Sequence, residues 1–183
     1  MRSKRLDSVK TCVELLKEYE EKNTEHKPSK KLNFSGVDTR DVYNITAPFM
    51  DNGKLTIAGR IENRDDELSE VGFFQYDEGT WVLRGDKDTY KKLQDPFFTN
   101  IHGELIIGGI EAFTGPADEK KIVSWRTNFY RGKSTDQLKL FAKGPSHMKD
   151  IRLVELNDGS IGVFSRPQGE IGGKGQIGFI RIN

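Results

Sequence analysis

The sequence predicts an all-β chain of the β-propeller type, an incomplete propeller of about three blades with an N-terminal helix. A unit of short strand, tight turn and second strand recurs at residues 47–60, 95–109 and 150–166. Its turn glycines, Gly53, Gly103 and Gly159, stand roughly 50 residues apart, a spacing in the range of propeller blades. The flanking residues are β-branched and aromatic, and the turns read Asn52-Gly53, His102-Gly103 and Asp158-Gly159, which suits hairpins.

The chain opens on residues 3–22, which read as an amphipathic helix because Leu6, Val9, Cys12, Val13, Leu16 and Tyr19 recur at helical spacing among Lys and Glu. Such a helix packs on the outside of a domain or pairs two copies. Residues 23–31 are polar and contain Pro28, which suits a linker. The expected division is therefore a helix and linker over 1–31 and a partial propeller domain over 32–183. Strands are expected at 54–61, 71–76 and 81–83, then at 105–109, 122–130 and 138–142, then at 151–156, 160–165 and 175–182, with inner strands beginning near residues 48, 97 and 151. Closed propellers need at least four blades. The chain is thus expected to be a fragment of a longer protein, or to have its missing blades supplied by another chain, such as a second copy. Either way an apolar edge is expected near residues 177–182.

Composition narrows the function classes. The chain carries 29 Lys and Arg against 28 Asp and Glu, so bulk electrostatics speak against nucleic acid or an anionic membrane as partner. Cys12 is the one cysteine, which excludes an internal disulfide and suits a reducing compartment. Neither a secretory signal nor an apolar run of membrane-spanning length is visible, so the expected location is cytoplasmic. The Asn44-Ile45-Thr46 sequon is then incidental. His26, His102 and His147 lack metal-ligand spacing, and no metal or cofactor is expected. Gly132-Lys133-Ser134 resembles the end of a phosphate-binding loop, but Thr127 stands where its first glycine belongs. Gly172-Gly173-Lys174-Gly175 reads as a flexible hairpin.

Three groups could carry chemistry. Asp95-Pro96-Phe97 starts a strand, and its carboxyl at a blade mouth would act as a general acid if burial raised its pKa; a turn-forming Asp is the alternative. Asp150 holds the same place in the third copy, and Arg166 ends the second strand there as Arg60 does in the first. Together with Lys149 these suit an anionic oxygen such as phosphate, or else surface salt bridges. Asp38, Asp41 and Asn44 with Arg60, Glu62, Arg64 and Asp65 fit a sugar-binding rim or an ordinary solvated loop.

Taken together, several segments in order resemble a known family. They are Gly36-Val37-Asp38, Asp41 to Phe49, Gln94-Asp95-Pro96-Phe97, Phe129-Tyr130-Arg131-Gly132, Met148 to Leu153 and Phe164 to Gly169. They look like the domain of unknown function 1861, which includes mannogen phosphorylases and mannosyltransferases and is related to the mannoside phosphorylases of glycoside hydrolase family 130. The resemblance implies a five-bladed β-propeller. It also implies action on β-1,2-linked mannosides, by inverting phosphorolysis or by transfer, with mannose 1-phosphate or GDP-mannose as donor. The implied partners are a mannose oligosaccharide and phosphate or a sugar nucleotide. Asp95 would be the general acid, Asp38, Asn44, Arg60 and Asp150 would orient mannose hydroxyls, and Arg131, Lys149 and Arg166 would hold phosphate. A non-catalytic carbohydrate-binding propeller, or an inactive fragment, is the other class of function the sequence allows.

Overall fold

Thr11 starts the helix. Its hydroxyl accepts from the Glu14 N–H at 3.2 Å while the Glu14 carboxylate accepts from the Thr11 N–H at 2.6 Å, so two of the orphan donors at the helix start are satisfied reciprocally. The helix, α1, covers Cys12–Glu21. The computed structural model describes residues 10–22, 29–65, 68–85, 90–168, 173 and 176–183. Residues 3–9 of the expected helix, 23–28 of the linker and most of the 172–175 hairpin lie outside them. The chain divides into two units, Met1–Lys31 and Leu32–Asn183.

The second unit is mostly β and forms three sheets. The first contains β1 (Asn33–Ser35), β2 (Asp41–Tyr43), β3 (Phe49–Asp51), β4 (Lys54–Glu62), β5 (Ser69–Asp77), β6 (Thr80–Leu83) and β7 (Tyr90–Lys91). Its order is β1-β6-β5-β4-β2, with β3 also on β4 and β7 also on β5. The second holds β8 (Leu93–Ile101), β9 (Glu104–Thr114), β10 (Ile122–Gly132) and β11 (Lys139–Lys143), in the order β11-β10-β9-β8. The third holds β12 (Lys149–Glu155), β13 (Ile161–Arg166) and β14 (Gly178–Ile182). All pairings are antiparallel except that of β1 with β6. The expected inner strands correspond to β3, β8 and β12. The strands β1, β2 and β7, of two or three residues each, are too short to show a period in the sequence. Asn52-Gly53 and His102-Gly103 turn with positive φ at both residues, as two-residue hairpins matching strand twist require.

Alternation along the strands sorts side chains between layers. Ile57, Ile61 and Phe74 face one cluster with Val37 and Trp81. Ala58, Val71 and Phe73 face another, shared with Leu93, Leu105 and Ile107 of the second sheet. Phe97, Phe129 and Ile151 join the second sheet to the third. A polar clamp backs the first junction. Asp51, only 2% exposed, accepts from the Thr135 N–H at 3.0 Å, from the Thr135 hydroxyl and from Arg84 Nη1 at 3.1 Å. Thr135 belongs to a short 3-10 turn, Thr135–Gln137, that follows β10.

At the third sheet the outer edge is apolar, as expected from the sequence. Ile177, Phe179, Ile180 and Ile182 are exposed, and among the described residues no strand pairs with the far side of β14.

Gly108 carries a packing constraint beside the site. Phe97 pairs with it across β8 and β9, and a Cβ there would stand 2.0 Å from Phe97 Cε1. Gly108→Ala is expected to lower stability by about 1–3 kcal/mol through overpacking, read as a lower urea midpoint at unchanged slope. An unchanged midpoint would show that the ring moves freely.

Candidate functional site

The same backbone device interrupts the pairing in each sheet. Gln94 pairs with Ile110 and Phe97 with Gly108, so Asp95 and Pro96 together oppose Gly109. Lys149 pairs with Arg166 and Arg152 with Phe164, so Asp150 and Ile151 oppose Ser165. Tyr43 pairs with Arg60, and Thr46 donates its N–H to the Ala58 carbonyl at 2.8 Å while its hydroxyl accepts from the Ala58 N–H at 3.0 Å. Asn44 and Ile45 therefore oppose Gly59. Each is a bulge of two residues against one, a device that re-aims side chains.

The leading residue of each bulge is left-handed: φ is 48° at Asn44, 49° at Asp95 and 60° at Asp150. Asn and Asp enter this region more readily than other residues with a side chain, which accounts for their recurrence. Asp95 also precedes Pro96, whose ring disfavours such a backbone in its neighbour. A conformation of this kind costs of the order of 1–3 kcal/mol and persists where the surroundings hold it.

The three bulges meet. Asn44, Asp95 and Asp150 line one shallow depression of about 330 Å³, with Ile45, Pro96 and Arg152. Asn44 Nδ2 donates to Asp95 Oδ1 at 2.6 Å, and Arg60 Nη1 donates to the same oxygen at 3.2 Å. The rest of the Arg60 fork is committed to Glu62, with Nε at 2.7 Å and Nη2 on the same carboxylate oxygen. Glu62 also accepts from the Tyr43 hydroxyl. Burial first, and that hydrogen bond second, push the Tyr43 phenol up to about 12, so it stays a donor at neutral pH. Burial alone would lower the Arg60 pKa, but Glu62 and Asp95 outweigh it and hold the guanidinium charged.

At the third bulge Arg166 Nη2 lies 2.9 Å from Asp150 Oδ2, and Arg152 Nη2 lies 3.7 Å from Asp150 Oδ1. Arg152 packs its guanidinium 4.4 Å from the Phe97 ring centroid. Burial lowers its pKa, against the pull of Asp150 and Asp95. The depression is thus lined by two carboxylates, an amide and the Arg152 guanidinium, with Arg60 and Arg166 bonded to the two carboxylates. Such a constellation can bind hydroxyls and an anion side by side.

Of the residues singled out in the sequence, Asn44, Arg60, Asp95, Asp150 and Arg166 belong to this cluster. Lys149 lines a neighbouring cavity. Arg131 stands apart and corrects the expectation that it joins the others. It pairs with Ile106 towards the Ile101–Glu104 turn, 3.7 Å from Glu104 and 5.3 Å from the Phe141 ring centroid, whereas the bulge lies beside Gly109, farther along β9. Asp38 occupies an exposed turn between β1 and β2 with φ of 54° and does not line the depression. Asp41 and Arg64 pair with each other at the surface, at 2.7 Å. Sequence reading gave no role of their own to Tyr43 and Arg152, and counted Glu62 only among the charges of a possible sugar-binding rim. For Arg152 a signal existed, since it follows Asp150 by the same two residues that separate Phe97 from Asp95.

Among the described residues no cluster of His, Cys, Asp and Glu could hold a metal ion, and no helix is long and apolar enough to cross a membrane.

The family described as "Protein of unknown function (DUF1861)" matches residues 18–183. No curated protein matches the chain. Among solved structures the chain is similar to MPT-4, a mannose phosphorylase from Leishmania mexicana solved in complex with phosphate ion. The two are 37% identical with a TM-score of 0.81, over 93% of this chain and 52% of that one. It is also similar to MPT-1, a GDP-Man-dependent mannosyltransferase from the same organism, at 37% identity and a TM-score of 0.75, over 94% of this chain and 52% of that one. A family 117 glycoside hydrolase from Zobellia galactanivorans shares the fold at 13% identity and a TM-score of 0.57, over 83% of this chain and 56% of that one. The chain spans about half the length of the two Leishmania structures.

Proposed function

Because this chain belongs to the DUF1861 family, we propose that it processes mannosides, and that its three sheets are blades of a five-bladed propeller carrying an inverting reaction on β-1,2-linked mannose. The observation that supports this most is the Asp95 carboxylate, held by Asn44 and Arg60 in a strained bulge at a depression that Asn44, Asp150 and Arg152 also line. The likeness to a mannose phosphorylase and a mannosyltransferase adds to it.

In this reaction Asp95 protonates the glycosidic oxygen through a sugar hydroxyl as the C1–O bond breaks. Phosphate forms the new C1–O bond from the opposite face, and the Asp95 carboxylate is left ionised. Glu62 is central to the timing. By taking two of the three Arg60 donors in use, it leaves only a 3.2 Å contact on Asp95, so the guanidinium steadies the carboxylate without clamping it. Asn44 and Asp150 orient mannose hydroxyls, and Arg166, with Lys149 and Arg152 near it, meets the phosphate. In transfer from GDP-mannose the same cations face the leaving diphosphate.

The test is to incubate the chain with β-1,2-mannobiose and phosphate and measure mannose 1-phosphate, with GDP-mannose tried in parallel as donor. Product from neither donor sinks the enzyme reading. The openness of the depression favours a second reading, a carbohydrate-binding surface without turnover, which predicts mannoside binding with neither product. Arg166→Ala is expected to raise the apparent KM for phosphate about tenfold, since a charge-assisted hydrogen bond contributes about 1.5–3 kcal/mol, with a smaller effect on kcat. An unchanged KM would place the anion elsewhere.

A further inference from the structure

A second cavity, of about 290 Å³, adjoins the bulges without belonging to the depression. Gln94 and Lys149 line it, and they directly precede Asp95 and Asp150. Its remaining wall follows from the register. The residue paired with the position before each bulge is Arg60 in the first sheet and Arg166 in the third, but Ile110 in the second. Where the other sheets project a guanidinium, this one projects an alkyl side chain, and Ile110, Ile122 and Trp125 form an apolar face. Two polar atoms in this wall, Trp125 Nε1 and Gln168 Oε1, are buried without a hydrogen-bond partner. Native proteins rarely leave such groups unsatisfied.

We propose that this cavity holds a pyranose ring of the substrate, the sugar unit next to the one that reacts at Asp95. This rests on the mannoside reading of the neighbouring depression. A pyranose has apolar C–H faces and a rim of hydroxyls, which matches an indole and two isoleucines edged by two amides and an ammonium. A single hydroxyl can accept from Trp125 Nε1–H or donate to Gln168 Oε1, giving the buried polar atom the partner it requires. A phosphate ion fits worse, because a charged group made mostly of acceptor oxygens gains little from a carbonyl oxygen and loses its hydration against an apolar wall.

The experiment is titration of the chain with β-1,2-mannobiose and, separately, with GDP, followed by calorimetry. Ile122→Arg fills the cavity, and Trp125→Phe keeps an aromatic ring while removing its N–H. Both are expected to raise the Kd for mannobiose tenfold or more, with thermal melts showing that each variant folds. Trp125→Phe keeps the test decisive if the arginine variant does not fold. Mannobiose binding that both variants leave intact overturns the subsite while the mannoside reading stands. GDP binding that the variants weaken, with mannobiose unaffected, overturns it in favour of a nucleotide base. If the unaltered chain binds no mannoside, the reading and the subsite fall together.

Discussion

Asp95→Asn is expected to lower kcat for phosphorolysis of β-1,2-mannobiose by about 10²–10⁴-fold while leaving sugar affinity nearly unchanged, the span general acid catalysis contributes. The substitution separates proton donation from everything else the residue does. Asparagine tolerates a left-handed backbone, and Asn44 already leads the corresponding bulge of the first sheet at φ 48°, close to the 49° of Asp95. The amide keeps an oxygen to accept from Asn44 and Arg60, so the depression keeps its shape. What it lacks is a proton to give to the departing oxygen. Asp95→Ala would confound the result, because alanine fits the left-handed bulge poorly. Steady-state kinetics with a thermal melt of each variant decide the matter. Full activity in Asp95→Asn would remove this carboxyl from the mechanism and leave the carbohydrate-binding surface as the better reading.

The second large effect concerns stability. Asp51→Ala is expected to cost about 3–5 kcal/mol, because it removes a buried carboxylate that accepts from Arg84 and from both donors of Thr135. Arg84 would lose the buried carboxylate that it meets at 3.1 Å, and the Thr135 N–H and hydroxyl would lose their shared acceptor. With about 2–4 °C per kcal/mol for a chain of this size, the melting temperature should fall by roughly 10 °C. Asp51→Asn separates charge from shape: a loss near that of alanine assigns the effect to the ion pair. A fall of less than 2 °C in the alanine variant would mean that the apolar cluster around Phe73 and Leu93 joins the two sheets unaided.

Much of this architecture could be read from residues, for reasons that are local. Asn52-Gly53 and His102-Gly103 announce hairpins because few residue pairs accept two positive φ angles in succession. Arg60 and Arg166 could be matched because each lies near the end of the strand after its turn, and the register gives them the same place. Arg131 shows where such reading fails. Its neighbours in sequence, Tyr130 and Gly132, say nothing about which end of β10 lies beside the bulge; only pairing with Ile106 does. Tyr43 and Glu62 meet because β2 lies against β4, across 19 residues of sequence, and a three-residue strand such as β2 leaves no periodic trace.

The bulge at Asp95 also works as a change of phase. Leu93 pairs with Glu111 and sits in the cluster shared with the first sheet, while Phe97, four residues on, sits in the cluster shared with the third. In a strand of unbroken alternation, residues four apart point the same way. The extra residue shifts the count by one, so Phe97 reaches the far layer and Phe98 packs back against the near one. Removing Pro96 would restore the plain alternation with both rings still on their sides, and would take away the two-residue bulge that aims Asp95. Position 95 can thus exchange its side chain with modest structural penalty, as its counterparts Asn44 and Asp150 show by differing, but the strand cannot lose a residue there without losing the aim of that side chain. The site is free in the kind of residue it carries and fixed in their number.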